Sequence, residues 1–511
     1  MADDQTVSRT TLTGPVVTSL LALLAVAIHL ATNGRYGFHQ DEFYFIACGY
    51  HPALGYVDQP PMVPMIARLS MFLFGDSLRG LRFFPAIAHG VTILLTGLLT
   101  RRMGGGRFAQ GLAALAVLVA PMWLRASNML TIPAFEPLFW VLCAYLLVRI
   151  IQEDNPKLWL WIGVVAGIGL MNKDTMLFFG FGLVVAMVLT PLRKYFKSPW
   201  LYAGGAIAFL IVLPNIIWQM QNGWPTLIFL KGLNEGTMSQ ISVPEFIVGQ
   251  VLYLLPFNAP LWLGGLLFLL FTRKGRPYRV FAFIYLAVAI LLIVAKSKIY
   301  YLAPAYPMLF AGGAWGFEGF LNRKQLTWPR PATVAVLVIG GLIFAPLALP
   351  IFPIMTTDRY ISAVSGGVIK NAYELTGDLH AEFGWPNLVK TVNEVYQNLP
   401  EDEKKKCVIW GRGYGEAGAV DYYGKQYGLP HAISTDMTYY LWGLPTDPTT
   451  TFITVAWPEK LLNRVFNDVK IAAVAKNKYT NPWRQKVPIA ICRNPKKPLE
   501  EIWPRFRDWS D

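Results

Sequence analysis

The chain has 511 residues, of which 54% are hydrophobic, 14% are aromatic and only 15% are charged. Soluble domains carry about 25% charged residues, so this composition excludes an ordinary soluble protein and indicates lipid as the solvent. The formal net charge of +14 does not indicate nucleic-acid binding, because the basic residues form short clusters between apolar runs and no stripe interleaved with stacking aromatics.

Eleven apolar runs are candidates for membrane-spanning helices, which need about 20 residues each. The first run follows a polar amino terminus and has no small-residue cleavage site, so we interpret it as a transmembrane helix and not as a removed signal peptide. The predicted spans are 14–33, 83–100, 108–124, 134–151, 158–171, 173–191, 200–218, 248–271, 279–296, 303–320 and 332–350.

The loops between these spans predict the orientation. Four of the five loops on one side carry basic clusters, which is the pattern of cytoplasmic loops. The amino terminus is therefore expected in the cytoplasm, and the long loop 34–82, the loop 219–247 and everything after Pro350 are expected outside. The basic clusters are Arg101, Arg102 and Arg107; Arg193, Lys194 and Lys197; Arg273, Lys274, Arg276 and Arg279; and Arg323, Lys324 and Arg330.

The last part of the chain changes character. Residues 355–511 alternate short β-rich runs (CVIWG, LPHAIS, TTFITVAW, IAAVA, VPIAIC) with helical patterns (NLVKTVNEVYQNL, GEAGAVDYYGKQYG, PEKLLNRVFNDV), which predicts a small α/β domain. We therefore predict a membrane domain over 1–354 and an extracytoplasmic soluble domain over 355–511. Cys407 and Cys492 lie in strand-like contexts of this domain, and either a disulfide or two buried thiols fits them.

Ionisable residues collect at the ends of the spans on the outer side. Each has an ordinary explanation when taken alone: a snorkelling lysine, an ion pair, or a carboxylate at a helix N-terminus. Charges at membrane depth are costly, however, and several carboxylates near several cations suit a phosphate-bearing substrate whose nucleophile needs a base. The residues are Asp41, Glu42, Asp58, Arg82, Glu136, Lys173, Lys296 and Lys298.

Three stretches resemble a known family. They are His39–Arg68, with its acidic pair followed by GYVDQPPMVP; SKIYYLAPAYP at 297–307; and GYGEAGAVDYYGKQYGLPHAIS at 413–434. In these stretches the chain resembles the bacterial dolichyl-phosphate-mannose–protein mannosyltransferase-like glycosyltransferases of the GT-C superfamily, relatives of protein O-mannosyltransferases and lipid A aminoarabinose transferases. The resemblance implies an α-helical polytopic membrane protein of GT-C type, with about eleven transmembrane helices and a C-terminal extracytoplasmic α/β domain.

The resemblance also implies an activity. The expected reaction is an inverting transfer of a single sugar from a polyprenyl-phosphate-linked donor to an acceptor hydroxyl, at the extracytoplasmic face of a bacterial plasma (inner) membrane. The enzyme would be a hexosyl- or pentosyltransferase whose partners are the lipid-linked donor, membrane lipid and an acceptor glycan, lipid or protein. Asp41 matches the family's catalytic carboxylate, which takes the proton from the acceptor hydroxyl.

Further side chains are expected to contact the substrates. A carboxylate at Glu42 or Glu136 would stabilise an oxocarbenium-like transition state. Cations at Arg82, Lys173 and Lys298 would neutralise the departing phosphate, and Lys296 is a further candidate for substrate binding. Tyr300 and Tyr301 fit either hydrogen bonding to the carrier phosphate or an interfacial aromatic belt.

Asp58 corresponds to an acidic position that contributes to a metal site in the aminoarabinose branch. That branch has a lysine where this chain has Gln59, and an arginine where this chain has the aromatic run from Phe43 to Phe45, so its phosphate contacts do not carry over. Asp58 and Glu136 are candidate oxygen ligands of a divalent ion, although the sequence requires no cofactor.

Two alternatives to an enzyme remain at this point: a transporter or flippase for lipid-linked sugars, and a non-catalytic binding protein. A transporter should carry polar residues near the bilayer midplane, whereas here they cluster at one face. The donor sugar is open among mannose, galactose, glucose, arabinose and amino sugars.

Overall fold

The computed structural model describes residues 13–236, 241–364, 366, 373–445 and 449–509. Six of the described helices are long and apolar enough to cross a membrane, or eight if each of two bent pairs counts as one span, so the number eleven stays a prediction. The helices of the apolar region are Gly14–Thr32, Gln40–Tyr50, Met62–Phe74, Leu78–Leu81, Phe83–Met103, Arg107–Leu118, Pro121–Ala126, Glu136–Glu153, Leu158–Asn172, Met176–Val188, Pro199–Gln221, Pro225–Glu235, Val243–Tyr253, Ala259–Phe271, Arg279–Val294, Tyr306–Lys324 and Pro329–Ala348.

The predicted single helix 248–271 is broken in the structure. Its two halves, Val243–Tyr253 and Pro256–Phe271, meet at 91°. Pro256 has no N–H to donate and disfavours a helical conformation at Leu255, whose φ is +74°. The Asn258 amide donates to the Leu254 carbonyl at 2.8 Å, so the break leaves that buried acceptor with a partner.

Two helix pairs pack backbone to backbone at glycine. A Cβ on Gly163 would lie 2.1 Å from the Gly204 carbonyl oxygen, and a Cβ on Gly313 would lie 2.0 Å from that of Leu261. Small residues at such crossings let helices approach closely where lipid supplies no hydrophobic driving force.

The C-terminal region contains a five-stranded mixed sheet, which confirms the predicted α/β character. The strands are β1 (Cys407–Gly411), β2 (Ala432–Ile433), β3 (Thr451–Val455), β4 (Phe466–Lys476) and β5 (Lys486–Pro495), in the order β2-β1-β3-β5-β4. The pairs β1–β2 and β1–β3 are parallel, while β3–β5 and β4–β5 are antiparallel. The helices around them are Ile354–Val364, Tyr373–His380, Trp385–Gln397, Glu401–Lys404, Tyr414–Tyr423, Tyr439–Trp442, Glu459–Val465 and Leu499–Ile502.

Two sequence expectations in this region are settled by the sheet. The helical pattern 458–469 ends at Val465, because β4 begins at Phe466 and pairs with β5. Cys407 on β1 and Cys492 on β5 are separated by β3, and both thiols are free and buried. Of the two alternatives for this pair, the structure has the buried thiols.

Candidate active site

The helix Gln40–Tyr50 begins the candidate site, and its first turn places the acidic pair. His39 caps the helix: its Nδ1 accepts the Asp41 N–H at 3.2 Å, and its own N–H donates to Glu42 Oε2 at 2.8 Å. A carboxylate in the first turn is favoured by the exposed N–H groups of a helix N-terminus. The cap orients the neighbouring carboxylates differently, since Glu42 is fully buried whereas the Asp41 side chain is 35% exposed.

Glu42 is held in a buried ion network with Arg82. The Arg82 Nε donates to Glu42 Oε1 at 2.7 Å and its Nη2 donates to Oε2 at 2.6 Å. The Leu130 N–H adds a bond of 2.9 Å to Oε1. Burial alone would raise the pKa of Glu42, but the Arg82 guanidinium, helped by the backbone N–H groups, holds it below its usual value.

Arg82 ties the C-terminal region to this network. Its Nη1 and Nη2 donate to Glu382 Oε2 at 3.2 Å each, and also to the carbonyls of Asn33 and Gly37. Glu382 also accepts from Arg125 Nη1 at 2.7 Å. Every guanidinium nitrogen of Arg82 therefore donates to a protein oxygen, and this arrangement anchors the loop 34–82.

Asp41 contacts the C-terminal region directly. Its Oδ1 accepts the Tyr414 hydroxyl at 2.9 Å, and the Tyr414 N–H donates to Asp436 Oδ2 at 2.9 Å. Burial raises the pKa of Tyr414 well above its usual value, and the charges of Asp41 and Asp436 raise it further. The hydroxyl therefore keeps its proton and donates it in a hydrogen bond to Asp41.

Asp58 is linked through Tyr44 to the helix Gln40–Tyr50 and to the C-terminal region. The Tyr44 hydroxyl donates to Asp58 Oδ1 at 2.7 Å and lies 2.6 Å from Thr438 Oγ1. Burial raises the pKa of Asp58 to about 6, the negative charge of Asp41 adds to this, and the hydrogen bond from Tyr44 and the positive charge of Lys173 oppose it. Asp58 thus lies within electrostatic range of both Asp41 and Lys173.

The stretch around Asp58 is clamped from two sides. The Val57 N–H donates to Thr438 Oγ1 at 3.0 Å, and its carbonyl accepts the Thr226 hydroxyl at 2.8 Å. The Gln219 amide donates to the Tyr56 carbonyl at 3.2 Å. These bonds fix the GYVDQ segment between the C-terminal region and the chain near residue 220.

A second group of predicted residues surrounds Lys173, which lies between the helices Leu158–Asn172 and Met176–Val188. Its Nζ is 4.9 Å from the centroid of the Tyr301 ring, and the Tyr300 and Tyr301 rings lie perpendicular with centroids 4.9 Å apart. Glu136 is buried and accepts the Thr175 hydroxyl. Within the described residues no carboxylate forms an ion pair with Lys173 Nζ, and Glu136 and Asp174 act on its charge from longer range.

The two remaining lysines stand at the edge of this group. Lys296 is exposed and has a left-handed backbone with φ +48°. Lys298 is half-buried and immediately precedes the turn Ile299–Ala305, which carries both tyrosines. The structure therefore brings Lys173, Tyr300 and Tyr301 together, with Glu136 in electrostatic range of Lys173, whereas Lys296 is exposed.

The residues described do not form an evident metal centre. No three of their His, Cys, Asp or Glu side chains converge as ligands of one ion. Asp58 is hydrogen-bonded to Tyr44, and Glu136 to Thr175. A divalent ion with Asp58 and Glu136 among its oxygen ligands stays a prediction.

Sequence reasoning missed four side chains of this site: Tyr44, Tyr414, Thr438 and Glu382. Tyr414 lies in the stretch 413–434 that carries the family resemblance, and this was the signal available for it. Glu382 had no local signal, because its partner Arg82 is 300 residues away in the chain.

The fold and part of the sequence match known proteins. The structure resembles that of ArnT from Cupriavidus metallidurans bound to undecaprenyl phosphate, with a TM-score of 0.60 and 14% identity over 92% of this chain and 97% of that chain. The apo form of ArnT gives a TM-score of 0.60 and 16% identity over 93% of this chain and 97% of that chain. No functionally curated protein is significantly similar in sequence. Residues 58–218 match the family described as dolichyl-phosphate-mannose-protein mannosyltransferase. Together these findings show a multi-pass helical protein that shares the fold of ArnT and resembles the mannosyltransferase family over residues 58–218.

Proposed function

We propose that the protein is an inverting glycosyltransferase that moves one sugar from a polyprenyl-phosphate-linked donor to an acceptor hydroxyl. The observation that carries this proposal is a partly exposed carboxylate, Asp41, at the N-terminus of the helix Gln40–Tyr50, whose Tyr44 also binds Asp58. Lys173 lies close enough to Asp58 to act on its charge, which brings a cation to the same site. A base and a phosphate-binding cation in one site are what such a transfer requires. The resemblance to an ArnT structure with bound undecaprenyl phosphate supports the class of donor.

Asp41 is the proposed general base. It takes the proton of the acceptor hydroxyl while that oxygen forms a bond to the anomeric carbon. The bond between this carbon and the phosphate oxygen breaks on the opposite face, and its electron pair leaves with the polyprenyl phosphate. The anomeric configuration inverts, and Asp41 holds the proton until it exchanges with water.

Neutralisation of the leaving phosphate falls to Lys173, which lies beside Tyr300 and Tyr301. A charge-assisted hydrogen bond from its ammonium to a phosphate oxygen stabilises the departing anion. Lys298 precedes the turn that carries the tyrosines, so it is the second candidate for this contact, and Lys296 is a more peripheral one. Glu136 is close enough to Lys173 to orient it by charge.

Arg82 and Glu42 receive a different role from the one expected. The guanidinium is fully buried, and each of its nitrogens already donates to a protein oxygen. We assign both residues to holding the loop 34–82 in place, so that Asp41 and Asp58 keep their positions. Contact with the substrate is left to the other residues of the site.

The remaining features of the reaction belong to the same proposal. The transferred group is a hexosyl or pentosyl unit, and the acceptor is a glycan, lipid or protein. The basic clusters in the loops support an orientation with the amino terminus inside and the site outside, and the proposed location is a bacterial inner membrane.

The test is turnover of defined donors by membranes containing the protein. The donors are undecaprenyl phosphate carrying labelled mannose, galactose, glucose, arabinose or an amino sugar, and both sugar transfer and release of the carrier phosphate are followed. Asp41→Asn should lower turnover of the accepted donor by about 10²–10⁴-fold, the usual contribution of a positioned base.

Asp76→Asn is the matched control, because Asp76 is an exposed carboxylate in the same loop. It should turn over the donor like the wild type. Near-normal turnover by Asp41→Asn would remove Asp41 as the base. Donor binding without turnover of any donor by the wild type would instead indicate a protein that carries glycolipids.

A further inference from the structure

Several contacts join the C-terminal region to the loop 34–82, and three of them are hydrogen bonds to polar side chains of the candidate site. Tyr414 donates to Asp41 at 2.9 Å, Thr438 lies 2.6 Å from the Tyr44 hydroxyl, and Glu382 accepts from Arg82. Asp41, Tyr44 and Arg82 are thus each hydrogen-bonded to the C-terminal region.

The two helices at this junction are in direct contact. A Cβ on Gly418 would lie 2.8 Å from the Cβ of Phe43, and a Cβ on Gly415 would lie 3.0 Å from that of Gln40. The helix Tyr414–Tyr423 therefore lies against the helix Gln40–Tyr50 without an intervening layer of side chains. This close approach fixes the Tyr414 position relative to Asp41.

Tyr414 itself is held on several sides. Its ring packs on that of Tyr44, with centroids 4.8 Å apart and 32° between the planes, and its N–H donates to Asp436. The other charged or titratable groups around Asp41 are His39, whose Nδ1 is 3.6 Å from Asp41 Oδ2, and Asp58 at longer range. Tyr414 occupies Oδ1, and Oδ2 accepts no hydrogen bond from the residues that the structure describes.

We propose that Tyr414 is a positioning residue for Asp41, and that the C-terminal region is therefore part of the active site. Its hydroxyl binds Oδ1, restricts rotation of the carboxylate and leaves Oδ2 directed at the acceptor hydroxyl. This inference rests on the proposed function, because it gives Tyr414 a role only if Asp41 is the base. A residue 373 positions away in sequence is thus necessary for the geometry of that base.

The variant that tests this is Tyr414→Phe, which removes the hydroxyl and keeps the ring against Tyr44. The matched control is Tyr439→Phe, a buried tyrosine of the same region whose hydroxyl donates to Asp421 at 2.8 Å. We expect Tyr414→Phe to lower kcat about tenfold or more, as the loss of one hydrogen bond to a charged group predicts, with KM for the donor close to wild type. The control should retain wild-type kcat and KM.

A second measurement tests the contact between Tyr414 and Asp41 and does not depend on turnover. The full-length protein is treated with a water-soluble carbodiimide and glycine ethyl ester, and labelling of Asp41 is followed by peptide mass spectrometry. Freeing Oδ1 in Tyr414→Phe should raise the rate of Asp41 labelling several-fold, and Tyr439→Phe should label like the wild type.

The outcomes separate the two proposals. Faster labelling together with a lower kcat supports the positioning role. Unchanged labelling overturns it, because the contact would then not protect Asp41. Faster labelling with an unchanged kcat also overturns it while the proposed function stands. Faster labelling in a protein whose wild type turns over no donor overturns both the function and the role that depends on it.

Discussion

Removing Glu382 is the perturbation that should most clearly show how the C-terminal region is held on the loop 34–82. The Glu382 side chain is completely buried and accepts two hydrogen bonds of 3.2 Å from Arg82 and one of 2.7 Å from Arg125. Glu382→Ala leaves both guanidinium groups without this partner. Loss of one member of a buried ion pair costs about 3–5 kcal/mol, and we expect the lower end of about 3 because Glu42 still pairs with Arg82.

The assay is thermal unfolding of the detergent-purified protein, followed by tryptophan fluorescence and by limited proteolysis of the C-terminal region. For a unit of 150–250 residues, a loss of about 3 kcal/mol corresponds to a Tm lower by about 6–12 °C. Glu382→Gln keeps the shape and one acceptor oxygen, so its Tm should fall less.

A control is available in an exposed pair. Glu153 accepts from Arg149 at 2.9 Å on the protein surface, where ion pairs contribute little, so Glu153→Ala should unfold close to the wild-type temperature. A Tm for Glu382→Ala equal to that of this control would refute the reasoning. It would show that Glu42 alone neutralises Arg82 and that Glu382 does not anchor the C-terminal region.

Three further perturbations follow from the packing and charges. Gly313→Ala should destabilise the helix bundle by about 1–3 kcal/mol and lower its Tm, because the new Cβ would lie 2.0 Å from the Leu261 carbonyl oxygen. The Asp58 pKa of about 6 lies above its value in the unfolded chain, so Asp58 lowers the free energy of unfolding by about 2–3 kcal/mol as pH rises from about 4 to about 6. Asp58→Asn should remove this loss and therefore raise Tm more at neutral pH than at acidic pH. Lys173→Met should raise KM for the donor about tenfold or more, because it removes the cation beside Tyr301 that would bind phosphate.

Each of these three predictions has a control variant or a control condition in the same protein. Gly319→Ala adds a methyl group where no atom lies within 4 Å, so equal destabilisation by both glycine variants would contradict the close-packing argument. Equal Tm shifts of Asp58→Asn at neutral and acidic pH would show that the Asp58 carboxyl does not titrate as described. Lys231→Met removes an exposed cation elsewhere in the chain and should leave KM unchanged. The phosphate role of Lys173 fails if its variant behaves like Lys231→Met.

The sequence by itself determined the class of fold and singled out the acidic pair that follows the first helix. Long apolar runs can satisfy their backbone in lipid only as helices, so composition and hydropathy led to a polytopic helical protein. The C-terminal strands could also be predicted from the sequence, since β-rich runs bounded by turns and helices are local signals. The acidic pair at Asp41 and Glu42 stood out for the same reason, because charge beside a membrane span is costly.

The tertiary structure decided which of these residues pair with each other. The two adjacent carboxylates have different partners: Glu42 is buried and paired with Arg82, whereas Asp41 is partly exposed and accepts the Tyr414 hydroxyl. No local pattern could assign these partners, because hydrogen bonds between residues hundreds of positions apart depend on how the C-terminal region lies on the loop. Hydropathy also did not predict the break at Pro256, because it measures the free energy of transfer to lipid and not the direction of the backbone.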